Sequence, residues 1–193
     1  MTWHAEGQFA TLNGQPHRRA ARLVCGDTAG PLLGAVVLTN PGSARPSGAV
    51  DSAGWAPMTL DPTLRIVIEI AEAAYQQAGV AVPTGGWLAV WNLFTLCEPD
   101  LKTALNNVIA LPALPELPPG LPWVWCGWGQ AHPALRELIA AWQLHLAGQP
   151  VAGVPIVGTE GGYYHPRYLR RMRRLRPDLW LAAVTGLANL IHN

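Results

Sequence analysis

The sequence predicts an α/β protein, with a mainly parallel four-stranded central sheet in a three-layer α/β/α arrangement. Two observations carry this expectation. Four short apolar runs, at residues 33–38, 87–91, 123–126 and 154–157, alternate with stretches of helical periodicity. Each run also stops abruptly at polar or turn-forming residues: Thr39-Asn40-Pro41-Gly42, Asn92-Leu93-Phe94-Thr95, Gly127-Trp128-Gly129 and Gly158-Thr159. A run that is apolar at every position and rich in β-branched side chains reads as a strand buried on both faces. In open parallel sheets ligands bind just beyond the carboxyl ends of the strands, so these four turns are where chemistry is expected.

The elements follow in order. Asn13-Gly14 is a hairpin-turn signal, and residues 20–25 read as a short strand, placed at a sheet edge because His17-Arg18-Arg19 precede it. Residues 33–38 form the opening core strand. Residues 41–62 read as a long loop, and a loop of that length in a compact domain is usually functional or disordered. Asp61 is a candidate N-cap, with Pro62 at the first helical position. Leu64, Ile66, Val67, Ile70, Ala71, Ala74 and Tyr75 then keep helical spacing until Gly79 closes the helix. Residues 98–110 form a weak helix, followed by a stiff Pro-rich link. A helix over 133–146 carries Leu135, Leu138, Ile139, Trp142 and Leu146 on one side, and an amphipathic segment over 179–191 ends the chain.

With 193 residues, the chain is expected to form one domain over 1–193, with N-terminal strands and a turn over 1–32, a core over 33–169 and an Arg-rich helical segment over 170–193. The net charge of +1 gives no global field favouring nucleic acid or membrane, so any electrostatic footprint is local. Nine Trp against two Phe suggests that some indoles line a cleft. The three cysteines are widely spaced with no C-x-x-C, so neither a zinc nor an iron–sulfur site is expected. There is no G-x-G-x-x-G and no P-loop, and no cofactor is expected. No apolar stretch approaches bilayer length and no leader-like run follows Met1, so the expectation is a cytoplasmic monomer without a membrane partner.

Several side chains at the strand ends are candidates for chemistry, each with a plainer reading beside it. Asn40 stands on a rigid turn, where it equally well bonds its own backbone. Asn92 ends the second core strand, where Asn also serves as a cap. His165 lies in a loop before Pro166, and Trp128 reads as core. Six Arg fall within residues 167–176, and spacings of three and four place Arg167, Arg170, Arg171 and Arg174 on one helical face. Such a face contacts phosphate or is simply solvated.

Taken together, TNPGS (39–43), DPT (61–63), WNLFTL (91–96), WGQA (128–131) and HPRYL (165–169) resemble the bacterial and phage family of unknown function numbered 1643, over about residues 19–169. The family usually carries Ser directly after the first proline; here Gly42 stands there and Ser43 follows. The same order is more distantly similar to the uracil-DNA glycosylase superfamily. That resemblance implies a glycosylase-like fold acting on DNA, with Asn40 positioning a water, Asn92 reading a base edge and His165 stabilising the departing base. Read from the residues themselves, Asp61 is either the helix N-cap or a cleft carboxylate able to polarise water or contact a sugar, and Trp55, Gly42 and Ser43 are placed around the base. In the superfamily His-Pro is usually followed by Ser-Pro-Leu, whose Leu enters the duplex; here Arg167-Tyr168-Leu169 follows. No Phe follows the Asn40 turn, and Trp55 is the aromatic of that loop.

Base excision stretches a C–N bond until the sugar is cationic and the base anionic, so it needs a positioned water and donors to the leaving base. The expected function is hydrolysis of a nucleobase N-glycosidic bond in DNA. The alternative is a non-catalytic module holding a nucleotide, a flipped base or nucleic acid on the same scaffold, and a third is a protein-docking surface.

Overall fold

The computed structural model describes residues 2–27, 30–107, 113–129 and 132–192. Its centre is one sheet of seven strands in the order β4-β1-β2-β5-β3-β6-β7. The strands are β1 (Trp3–Leu12), β2 (Gln15–Cys25), β3 (Leu32–Leu38), β4 (Trp55–Met58), β5 (Trp87–Asn92), β6 (Val124–Cys126) and β7 (Val151–Ala152). The helices are α1 (Pro62–Gln77), α2 (Leu101–Asn107), α3 (Arg136–His145), α4 (Pro166–Met172) and α5 (Pro177–Ile191), with a 3-10 turn over Pro133–Leu135 leading into α3.

The sheet has seven strands where four were expected, because an antiparallel half adjoins the parallel one. Strands β5, β3, β6 and β7 run parallel, while β2 pairs antiparallel with β5 and β1 pairs antiparallel with both β2 and β4. The hairpin joining β1 to β2 turns at Asn13 and Gly14, both with positive φ (50° and 75°), which is the backbone a two-residue hairpin of this hand requires. Strand β2 is not an edge: it starts earlier than expected, at Gln15, and lies between β1 and β5. Part of the expected 41–62 loop forms β4, the true edge on this side.

The fourth expected strand, 154–157, is also corrected. The parallel pairing is made by Val151–Ala152 instead. Gly153 has φ 154°, Pro155 has no N–H to give to a ladder, and Val157 is 94% exposed. Of the helix expected at 98–110, the described part is Leu101–Asn107; residues 108–110 lie outside the described chain, as do Gln130 and Ala131 of the WGQA stretch. Arg174 does not share a helix with Arg167, Arg170 and Arg171, since α4 stops at Met172.

Strand alternation sorts the core into two clusters. Val36, Leu38, Leu88, Val90, Trp123 and Trp125 pack with α1 and α5, including Ile70, Ala74, Val184 and Leu187. Ala35, Val37, Ala89, Trp91, Val124 and Cys126 pack with Leu138, Ile139 and Trp142 of α3. Helix α1 begins as read from the sequence: Asp61 accepts from the Thr63 and Leu64 amides at 2.7 and 2.9 Å, and Pro62 occupies the first turn. No helix among the described residues is long and apolar enough to cross a membrane.

Candidate functional site

At the carboxyl ends of β3 and β6 a cleft of about 890 Å³ opens, with Thr39, Asn40, Trp128, Gly129, His132, His165, Arg167, Tyr168 and Arg171 among its walls. Its position is the one that strand polarity dictates for a parallel sheet. The described lining holds two Arg and two His and no carboxylate.

Asn40 and His165, expected to share a site, both line this cleft. Asn40 Nδ2 donates to the Glu98 carbonyl at 2.7 Å, a bond that fixes the amide and does not use Oδ1. Its neighbour Thr39 is buried, and its hydroxyl donates to the Trp128 carbonyl at 2.6 Å, tying the ends of β3 and β6 together. Trp128 is 2% exposed and its indole N–H donates to Gly161, so it is a wall packed into the core.

His165 is the N-cap of α4. Its Nδ1 accepts from the Arg167 amide at 3.3 Å. Burial, with the neighbouring Arg167 charge adding to it, lowers its pKa from 6.5 to about 4; Asp61 opposes the shift. The imidazole is therefore neutral near pH 7, and with Nδ1 accepting, its proton sits on Nε2. Such a group donates a hydrogen bond without carrying charge. His132 repeats the device: it precedes Pro133, caps the following turn, and its Nδ1 accepts from the Ala134 amide at 3.2 Å.

Asn92 and Asp61 are not among the described lining of the cleft. Asn92 is 8% exposed, and its Oδ1 accepts from Arg18 Nη2 at 2.8 Å. Asp61 caps α1, as its plainer reading had it, yet it lies within electrostatic reach of both Arg18 and His165.

The other expected residues are placed apart. Trp55 sits on edge strand β4 with Arg22 over its ring at 4.9 Å, and β1, β2 and β5 separate that strand from β3. The physical reason is that β4 pairs with β1 and so carries the end of the loop away from β3. Gly42 takes φ 58°, a turn conformation glycine reaches without strain, and Ser43 is exposed; neither is among the described lining. Arg170 is paired with Glu69 of α1, and Arg174 lies beyond α4. Leu169, where the superfamily's duplex-entering Leu is expected, is fully buried and anchors α4.

Three residues escaped the sequence reading, two of them, Tyr168 and His132, in the cleft lining and the third, Arg18, buried in the core. Tyr168 is 42% exposed and stacks on Tyr164 at 4.9 Å with ring planes 10° apart, so one face of its ring is braced. His132 carried a legible signal, the second His-Pro pair. Arg18 did not. A β-bulge pairs Gln8 with Ala20 but Phe9 with Arg18, leaving Arg19 as the extra residue, and this turns Arg18 inward.

Among the described residues no group of three or more His, Cys, Asp or Glu is arranged to hold a metal ion. The cysteines are buried, and burial pushes the Cys126 thiol up to about 12, which leaves no thiolate for chemistry there. Comparison of the chain with known protein families, curated proteins and solved structures finds no match.

Proposed function

We propose that the cleft binds a nucleotide or a strand of nucleic acid, DNA foremost, on a three-layer scaffold of the uracil-DNA glycosylase kind. The observation that carries this reading is a single cleft in which Arg167 and Arg171 face Asn40, His165 and His132 with no carboxylate in the described lining. Guanidinium groups at a concave surface favour phosphate, which they bind in bidentate fashion. Tyr168, braced by Tyr164 and lying between the two arginines in sequence, offers a surface on which an unpaired base stacks. The four parallel strands, with α1 and α5 in one apolar cluster and α3 in the other, support the three-layer description.

Hydrolysis of an N-glycosidic bond is the second reading, favoured by one further observation. Asn40 is oriented with Oδ1 unused by its bond to Glu98, and His165 is a neutral donor at Nε2. These are the groups needed to hold a water and to receive a departing base. Asp61 spends one oxygen on the helix cap and is outside the described lining, which leaves hydrolysis without a carboxylate in the cleft.

Fluorescently labelled single- and double-stranded oligonucleotides, titrated at several salt concentrations, test the binding. The expected result is salt-sensitive binding whose log–log slope falls by about one for each of Arg167→Ala and Arg171→Ala. Binding unaffected by both substitutions, or none at low salt, overturns the reading. Oligonucleotides bearing uracil, mismatched thymine or hypoxanthine, probed for abasic sites by alkaline cleavage, separate the two readings; cleavage abolished by Asn40→Ala and His165→Ala establishes hydrolysis.

A further inference from the structure

The cleft takes up the carboxyl ends of the parallel strands, and a second recess of about 590 Å³ opens at their amino ends. Leu33 near the start of β3, Trp123 just before β6 and Pro150 just before β7 border it on the sheet side. Tyr75 in the last turn of α1, with Leu190 and Ile191 in the last turn of α5, borders it on the helix side. No charged side chain is among its described lining. Trp123 is 1% exposed, and its Nε1 has no hydrogen-bond partner among the described residues. An unmet N–H in the interior costs stability. The indoles of Trp125 and Trp142 are in the same state, but neither borders this recess. The Trp123 ring is held in place against Gly34, where a Cβ would stand 2.3 Å from it. Its N–H is close enough to the Tyr75 hydroxyl to act on it, though outside hydrogen-bond geometry. Burial raises the Tyr75 pKa above the ordinary 10 and the indole opposes that rise, so the phenol keeps its proton at neutral pH.

These two polar groups define what the recess can hold. An indole N–H only donates, whereas a phenol both donates and accepts. With the indole beside the phenol oxygen, the phenol proton is the group left to give, so an occupant brings an acceptor. The occupant is uncharged, because an ion moved into a recess without a counter-charge gives up its hydration for nothing. It is largely apolar, because Leu33, Pro150, Leu190 and Ile191 offer it side-chain carbon alone. The volume lies within the range of about 300–1,000 Å³ usual for sites that take small organic molecules, which are mostly apolar with a few placed polar groups. A flat protein surface suits the place less well, since Tyr75 and Trp123 are only 7% and 1% exposed.

We propose that this recess is a second binding site, for a small, uncharged, largely apolar molecule with one hydrogen-bond acceptor, of which an aromatic ketone is the simplest case. The Tyr75 hydroxyl donates to that acceptor, and Trp123 is a positioning residue whose N–H supports the phenol oxygen. The recess and the cleft share no residue of their described linings, so the site stands whether or not the cleft binds nucleotides.

The test uses the full ¹⁵N-labelled chain and the Trp123 Nε1–H signal, identified by sequential NMR assignment and by its loss in Trp123→Phe. Acetophenone is titrated as the probe, beside ethylbenzene, which lacks the acceptor, and benzoate, which is charged. Acetophenone is expected to shift the Trp123 signal and to bind about fivefold more tightly than ethylbenzene, the effect of one net hydrogen bond. Benzoate is expected to leave the signal where it is. Tyr75→Phe is expected to bind the two neutral probes equally. Leu190→Trp, which fills the recess from a half-buried position on α5, is expected to bind neither while oligonucleotide binding in the cleft stays as it was. A Trp123 signal unmoved by acetophenone, or binding undiminished in Leu190→Trp, overturns the site. Equal affinity for acetophenone and ethylbenzene in the unsubstituted chain overturns the acceptor requirement, and benzoate binding as tightly as acetophenone overturns the uncharged class. A Trp123 signal that moves with protein concentration alone gives the recess to a second copy of the chain and overturns the small molecule. The readout on the unsubstituted chain holds even if Trp123→Phe does not fold.

Discussion

Both cap hydrogen bonds of Asp61 fall on Oδ1, so its charge and its second oxygen remain for other duties. The two roles separate by substitution. Asp61→Asn keeps the cap acceptor and removes the charge, so the cap is expected to hold while the pKa of His165 drops below about 4 and buried Arg18 loses a charge that favours it, lowering stability by that part alone. Asp61→Ala loses the cap as well and is expected to cost about 1–2 kcal/mol. Urea unfolding and a histidine NMR titration read these outcomes. His165 itself leaves a signature in the pH dependence of stability. Its folded-state pKa of about 4 lies below the ordinary 6.5, so across that interval the unfolded chain takes up the proton first. Stability is therefore level above the upper value and falls as pH drops through the interval, by up to about 3 kcal/mol. His165→Asn, which retains a capping acceptor, is expected to flatten that slope in urea unfolding measured from pH 7 to pH 4.

Elements whose ends are written in neighbouring residues were legible. Helix α1 is such a case: an Asp-Pro start, eight buried side chains at helical spacing and Gly79 at φ 69° are all local signals. The β1–β2 hairpin announced its turn and the second half of β2, over residues 20–25, but not β1 or the start of β2, because polar residues fill the exposed side of both. Strands β4 and β7 were hidden for another reason. They are four and two residues long, and they are strands only because β1 and β6 offer them a partner. Strand β3 shows packing exerting control inside an element that was correctly read. Gly34 has φ 156°, and a Cβ there would lie 2.3 Å from the Trp123 ring. Gly34→Ala is expected to cost about 1–3 kcal/mol through overpacking, read as a lowered thermal midpoint.

On the scale of the whole molecule, the two apolar clusters share the same strands, with Val36 on one side of β3 and Val37 on the other. A defect in either is transmitted through the sheet. Val36→Ala and Val37→Ala are each expected to cost about 2 kcal/mol and to lower one common unfolding midpoint, monitored by tryptophan fluorescence and by circular dichroism. Two separate transitions would show instead that the clusters unfold independently. The α/β class, the parallel core strands β3, β5 and β6, the capped helix α1 and the siting of Asn40 at the end of β3 were all determined by the sequence alone, because hydrophobic period and turn chemistry are local properties. The tertiary structure decided the rest. It turned Arg18 inward through a bulge set by the partner strand, bonded Asn92 to that arginine, and carried Trp55 to the far edge of the sheet. It also split the arginine run, leaving Arg167 and Arg171 in the cleft and committing Arg170 to α1. Each of these depends on which distant backbone pairs with which, and pairing between residues far apart in the chain leaves no periodic trace in the sequence.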